Sequence, residues 1–549
     1  MYTQLLVRRY LTTRIIPLIA VGAVALCVAL VVIVVSVMTG FLDTLRASGR
    51  TLMGDVVISY PIQGIPDYEA LIATLKKLPE VEAASPLVDG YGLVRMPYPA
   101  GPSKQVVTAQ VWAIEPESFQ AVTGFDQSVY WRPPADAAAR AAMLPDDPRL
   151  AMDDSLHKAG VAMRTPDGAL PATVLGIHLS AANVRQGDGS YRPRYPQWFM
   201  PGLEVTLSLV PISDRGTVSQ STSRVFKIVN EVMSGVFQVD KNRIFIPLKD
   251  GQEMLRLDAA PIVDTTEPPD AKGNYPVIGT SPAKATQILI RAKQGVTPDE
   301  LSLKVANAYE QWYALRAADP TVKVRPPSPD RVGIETWEQR LHDLIAPVEK
   351  ERQMMRILFS ITYLVCAGLI LAIFWSIVSE KTRDIGILRA IGASRVGVLW
   401  IFLRYGLVVG IAGSIVGLGL GWLVVHRIND IHEALGHDAP MWSWVLAAGL
   451  AVGALFMAIR SMWRFRALPT LLWTVATLAM AGVTAGLYLH KGFLMWDPAV
   501  YYFNRIPSQV DWWSALGTCI GAVVFSVLGA AVPAARAADI DPIHALRYE

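Results

Sequence analysis

The amino-acid sequence predicts an α-helical membrane protein with six transmembrane helices and a large α+β extracytoplasmic domain between helices one and two. Three observations predict it. Of 549 residues, 52% are hydrophobic and only 18% are charged, where a soluble domain carries about 25% charge. Six apolar runs are long enough to cross a hydrocarbon core of roughly 30 Å as helices. The long stretch between the first two runs alternates strand and helix patterns instead.

Residues 1–14 precede a first membrane helix over 15–41, apolar from Ile15 to Met38. That run exceeds the apolar region of a signal peptide and no small-residue cleavage site follows it, so it reads as an uncleaved anchor. Residues 42–353 form the α+β domain with its stalk helices. A second membrane helix takes 354–378 (Ile357 to Val378), a cytoplasmic coupling helix 379–397, and a third span 398–425 (Tyr405 to Val425). Residues 436–492 hold a hairpin of two further spans, Met441 to Ile459 and Ala467 to Leu489. The last span lies in 511–533 (Trp512 to Val532), ahead of a tail, 534–549.

Basic residues orient these spans. With a cytoplasmic N-terminus, the short inner segments carry twelve Lys and Arg residues, among them Arg8, Arg9, Arg14, Lys381, Arg460 and Arg536. The short outer loops carry Arg427, Lys491 and Arg505. Both termini are therefore expected in the cytoplasm of an inner-membrane protein, and the large domain in the periplasm. Cys27, Cys366 and Cys519 all lie in apolar runs, so no disulfide framework is expected. A domain of this size buries enough apolar surface without cross-links.

Within the domain, strands are expected at Val56 to Ser59, Gln105 to Ile114, Glu204 to Val210, Phe226 to Val229, Arg243 to Ile246 and Thr286 to Ile290. A helix is expected near Asp67 to Leu78. A second begins at Thr297, with Pro298 at its first position and Glu300 completing a capping box. The Pro-, Gly- and Asp-rich stretches Trp131 to Arg149, Val184 to Gly202 and Pro261 to Pro282 read as surface loops or insertions. Two amphipathic segments, Phe41 to Met53 and Thr336 to Gln353, adjoin the first and second spans. They would form stiff stalks that carry motion, or would merely solubilise the span ends.

Many functions are excluded or weak on motif grounds. Fifty Lys and Arg against 47 Asp and Glu give a net charge of +3, no electrostatic case for nucleic acid. No phosphate-binding loop occurs, so the chain shows no recognisable ATP site of its own. His432 and His437 are five apart, off one helical face, which argues against a metal. Gly392-Ala-Ser394-Arg-Val396 lacks the last glycine of a nucleophile elbow, and Asp539 with Asp541 reads as a solvated tail. No catalytic constellation and no cofactor are expected.

Two features do carry information. Gly406 and Gly410, then Gly413, Gly417 and Gly421, place small residues at four-residue intervals in the third span. Such a ladder serves close helix packing within one subunit or the seam of a dimer. Between the second and third spans, Ile385, Leu388, Ala390 and Ile391 could line one face of a short helix ringed by Glu380, Lys381, Arg383, Asp384 and Arg389. A helix of that kind lies at the interface or docks into a groove of a partner.

The segment Glu380-Lys-Thr-Arg-Asp-Ile-Gly-Ile-Leu-Arg-Ala-Ile-Gly-Ala-Ser394, the glycine-rich span after it and the ending Pro533 to Glu549 resemble the MacB/FtsX-type ABC transporter permeases. Within that superfamily the chain is most similar to the lipoprotein-releasing Lol permeases, LolC and LolE. Arg9-Tyr-Leu11, Ser36-Val-Met-Thr-Gly-Phe41, Phe237-Gln-Val-Asp240, Thr336-Trp337 and Tyr501-Tyr-Phe-Asn-Arg-Ile-Pro507 add to the likeness. Family members have four spans, so the hairpin near Gly436 to Gly492 departs from the pattern while preserving the orientation of the last helix.

The resemblance implies a permease without a catalytic site, paired with a second permease subunit as homo- or heterodimer and bound to a separate Lol-type ATPase that holds the ATP. It implies a periplasmic domain with a porter-like and a smaller β-rich subdomain. ATPase coupling would fall on Glu380, Lys381, Arg383, Ile385, Gly386, Leu388, Arg389 and Gly392. Lipoprotein anchors would leave the membrane lipid between the first two spans, near Val37, Met38, Phe41, Ile357 and Ile361. Ile212 to Arg224 stands where Lol permeases present a hook to a periplasmic lipoprotein chaperone, without the proline-rich sequence of that hook. The alternatives are an FtsX-type mechanotransmitting regulator of a periplasmic partner and a MacB-type efflux permease.

Overall fold

The computed structural model describes residues 15–540, apart from 99–103, 144, 146, 187–189, 213–219, 236, 264–267, 269–274, 437–440, 464–466 and 490–504. The chain begins with α1 (Ile15–Met53), β1 (Val56–Ser59), α2 (Tyr68–Leu75), β2 (Val81–Arg95), β3 (Val106–Ile114) and β4 (Ala172–Gly176). It continues with β5 (Glu204–Leu209), β6 (Thr222–Val232), β7 (Arg243–Pro247), β8 (Gln287–Ala292), α3 (Pro298–Ala318) and β9 (Gly333–Thr336). There follow α4 (His342–Glu380), α5 (Thr382–Ala390), α6 (Arg395–His426), a short helix at Ile428–Gly436, then α7 (Met441–Trp463), α8 (Ala467–Leu489) and α9 (Trp512–Ala538). Two compact units divide the chain near Leu42 and Pro347.

In the α+β unit the main sheet runs β9-β1-β8-β2-β3-β7-β4-β6-β5, and β5 returns to pair with β2. Six strands therefore close into a small barrel, and β8, β1 and β9 extend the sheet past β2. Alternation along each strand assigns the faces. Val111, Ile228, Ile244 and Ile246 fill the barrel interior. Their neighbours Trp112, Val229 and Phe245 point the other way, into a second core with Phe119 and Leu289. Outside the barrel, Val56, Ile58, Ile288 and Ile290 meet Leu71, Leu75, Leu301, Val305, Tyr309 and Trp312. The last four recur at helical spacing, giving α3 one apolar face, and the Thr297 hydroxyl caps it by accepting from the Glu300 N–H at 3.3 Å.

The expected strands all form, but β2, β4 and β9 lacked a legible pattern. In β2, Asp89, Gly90 and Gly92 look like breakers, since these residue types are depleted in strands. The structure shows the need for Gly92: a Cβ there would sit 2.7 Å from the Ser208 carbonyl oxygen, where β5 closes the barrel. The two subdomains thus share one sheet, with β2 common to both. All three stretches read as surface loops also differ. Trp131 and Tyr191 are fully buried beside Tyr130 and Ile177, and Pro261 to Pro282 overlaps a hairpin, Ala260–Val263 with Val277–Ser281. Most of the segment expected to stand in place of the hook, 213–219, lies outside the described residues.

In the membrane unit five helices among the described residues are long and apolar enough to span, where six were expected. The fifth run in the sequence forms the 23-residue helix α8, but its described apolar stretch, Trp473–Tyr488, is shorter than a span. Helices α1, α4, α6 and α9 share one core through Val28, Phe374, Val409 and Ala530. The glycine ladder of α6 is used up inside it. Gly406 and Gly410 admit Ala530 and Ser526 of α9, while Gly413, Gly417 and Gly421 admit Val24, Ala25, Val28 and Val32 of α1. Ser526 Oγ donates to the Gly406 carbonyl at 2.8 Å, a polar lock in the same seam. Helix α7 buries Ala447, Ala454, Ala458 and Ser461, a small-residue stripe that packs on α8.

Candidate functional site

The short helix α5 is built to hold its place. Lys381 leaves the helical conformation of α4 and pairs with Asp384 at 2.7 Å. Ile385 is buried against Val378 of α4, Val398 of α6 and Ala537 of α9, and Gly386 is buried beside it. At the far end, Gly392 takes φ +107°, a conformation that costs glycine little, and the chain reverses there. Ala393 N–H then reaches the Leu388 carbonyl at 3.0 Å, closing the helix end as αL caps do. Ser394 opens α6 by accepting from the Gly397 N–H at 3.0 Å.

This geometry redistributes the residues chosen from sequence for ATPase contact. Ile385 and Gly386 face the chain's own core, and the Arg389 guanidinium is spent on the Ala538 carbonyl. Leu388 and Lys381 are half-buried, while Glu380, Arg383 and Gly392 are exposed. The apolar groups turned outward are Ile387 and, 81% exposed, Ile391. They lie four residues apart on one helical face, a second stripe that the stronger 385–388 pattern hides.

Of the residues expected near a lipid anchor, Met38 lines a cleft between α1, α4 and α9. Val37 and Phe41 are half-buried. Ile357 and Ile361 are exposed and are not among the residues lining the cleft. Among the described residues no group of three His, Cys, Asp or Glu side chains could hold a metal; His437 and Asp541 lie outside them.

The α+β unit contains buried acids that the sequence did not flag. Glu231, fully buried, accepts from Trp131 Nε1 at 2.7 Å and Asn183 Nδ2 at 2.8 Å, and burial pushes its carboxyl up to about 8. Asp240 is raised to about 7, again by burial, although Ser234 donates to it from both N–H and hydroxyl at 2.7 Å.

Family models match both halves of this architecture. Residues 18–192 match the MacB-like periplasmic core domain, and residues 356–470 match the FtsX-like permease C-terminal family. The chain is a MacB/FtsX-type ABC transporter permease. The second match ends at the start of α8, so α9, the packing partner of α6, lies beyond it. This MacB/FtsX-type permease is 24% identical over 283 residues to the lipoprotein-releasing system transmembrane protein LolC of Neisseria meningitidis, covering 47% of the chain and 57% of that relative. It is 20% identical over 218 residues to LolE of Haemophilus influenzae, 40% of each. An uncharacterized ABC transporter permease of Methanocaldococcus jannaschii is 34% identical over 84 residues, 15% of the chain and 21% of that relative. The chain therefore spans only about half the length of the Lol relatives it matches.

Proposed function

We propose that this permease couples a separate ABC ATPase to the release of lipoproteins from the outer leaflet of the inner membrane. Both termini would be cytoplasmic, α8 would complete a sixth span, and the α+β unit would stand in the periplasm. Two permease subunits would form the transporter, the ATPase would seat on the exposed face of α5, and ATP would be bound and hydrolysed there, in the partner. Capture of the cargo by a periplasmic chaperone would follow.

The observation that carries the reading is the continuity of α4 into α5. One 39-residue helix runs from His342 to Glu380, and a single residue, Lys381, separates it from α5. A push on α5 has a stiff element to act on, and α1 continues unbroken to Met53 in the same way. The names of the Lol relatives supply the cargo class. The need for an ATPase is physical: each acyl methylene leaving the bilayer costs about 0.8 kcal/mol, so a multi-chain anchor does not leave unaided.

The test is reconstitution of the full chain with its cognate ATPase and a fluorescent lipoprotein in proteoliposomes. ATP-dependent release supports the proposal. ATP turnover that activates a periplasmic partner without release would replace it with an FtsX-type regulator, and export of peptides or antibiotics with a MacB-type pump.

A further inference from the structure

The cleft between α1, α4 and α9 has a volume of about 260 Å³ and is open on one side. Val31, Val35 and Phe359 give it apolar walls. Three polar features interrupt them. Arg352 and Arg356, one helical turn apart on α4, line one end. Tyr363, further along the same helix, is 9% exposed, with its hydroxyl buried beside Thr518. Thr518, also on the cleft wall, already donates to the Ser514 carbonyl at 2.8 Å.

Distances along the helix say what could fit. Eleven residues separate Arg352 from Tyr363, about 16 Å of rise, roughly one leaflet of a 30 Å hydrocarbon core. Arginines at the outer end of such a groove stand at headgroup depth, where a guanidinium binds phosphate in a planar, bidentate way. Asp511 lies 3.9 Å from Arg352 and offsets one of the two charges, since hydrogen bonds from Ser514 keep its carboxyl below the usual range. A net positive charge remains. Tyr363 therefore lies at the deep, acyl-chain end of the cleft and the arginines at its headgroup end.

We propose that this cleft is a binding site for a single phosphate-bearing diacyl lipid, its phosphate on Arg352 and Arg356 and its acyl chains along Val31, Val35 and Phe359. A lipoprotein anchor shares the acyl chains and esters but has no phosphate, so the arginine pair selects phospholipid over cargo. The site stands whichever cargo the permease moves.

The test is lipid retention by the full chain, delipidated in detergent and supplied with phosphatidylglycerol, phosphatidylethanolamine or diacylglycerol of identical chains, read by native mass spectrometry. Both phospholipids should be retained at least ~10-fold better than diacylglycerol, the scale of one charge-assisted hydrogen bond. Arg352→Gln with Arg356→Gln should erase that preference, the double Lys variant should keep most of it, and Tyr363→Phe should leave it unchanged. Equal retention of diacylglycerol, or a phospholipid preference untouched by the Gln pair in a normally folded protein, would overturn the proposal. Full competition by soluble glycerol phosphate would reduce it to a phosphate site. Displacement of phosphatidylglycerol by a triacylated lipopeptide at equal concentration would assign the cleft to cargo instead.

Discussion

The Arg389 guanidinium donates a 2.9 Å hydrogen bond to the Ala538 carbonyl, tying α5 to the last turn of α9. A cationic donor at a helix C-terminus satisfies a carbonyl with no partner inside the helix. The same short helix buries Ile385 under α4, α6 and α9. It is therefore clamped on one side and turns Ile387 and Ile391 outward on the other, so a load applied there would be passed to three helices together.

The two faces of α5 should separate by mutation. Ile391→Asp is expected to abolish co-purification of the cognate ATPase while leaving the melting temperature of the permease within error. Ile385→Ala should lower stability by about 2–5 kcal/mol, as for other buried Ile truncations, and weaken ATPase binding only as the fold loosens. Pull-down yield and thermal melts of both variants decide it. Equal loss of ATPase binding from two well-folded variants would contradict the assignment of faces.

The glycine ladder makes a prediction about where it is used. A Cβ on Gly417 would sit 2.5 Å from the Ala25 carbonyl oxygen, whereas one on Gly419 would meet nothing within 4 Å. Gly417→Ala should destabilise the monomer by about 1–3 kcal/mol, the usual penalty for overpacking, and Gly419→Ala should not. A Gly417→Ala protein that melts normally but no longer self-associates would move the ladder to a subunit seam.

Buried acids give the α+β unit a pH dependence of known sign. Glu231 titrates near 4.5 when unfolded and at about 8 in the folded chain, so between those values folding takes up a proton. Stability falls as pH rises across that window and levels off above it. Asp240 adds the same slope up to about 7, leaving Glu231 to govern the interval from about 7 to about 8. Glu231→Gln should flatten the melting temperature in that last interval alone, in scans of the full chain in nanodiscs. An unchanged slope there would mean that Glu231 is ionised in the folded protein.

Cys27 of α1 and Cys366 of α4 lie within hydrogen-bonding reach of each other inside the membrane unit. Mild oxidation with copper phenanthroline should join them and produce an intramolecular mobility shift that Cys27→Ser abolishes and Cys519→Ser does not. If relative movement of α1 and α4 is part of the release step, the cross-linked permease should keep ATPase binding and lose most cargo release. Full release from the cross-linked form would show that the two helices move as one.

Much of this permease was legible in its residues. Apolar run length exposed the membrane helices, because a bilayer leaves backbone groups no partner but the helix itself. Capping chemistry located α3 through Thr297 and Pro298, and alternation located β3, β5 and β7, because both signals are local. Strand β2 was hidden, since Gly92 is required by a chain more than a hundred residues away.

Pairing and facing were decided by tertiary structure alone. Nothing near Gly417 says that Ala25 will fill the space above it, and no periodicity distinguishes Ile385 from Ile391 until α6 and α9 cover one side. The same holds for Glu231, an acid like any other until Trp131 and Asn183 close over it. What the sequence determined by itself was how each segment would fold, because helix, strand and span are set by neighbours along the chain. Which surfaces were consumed and which were left to meet a partner depended on contacts between distant segments.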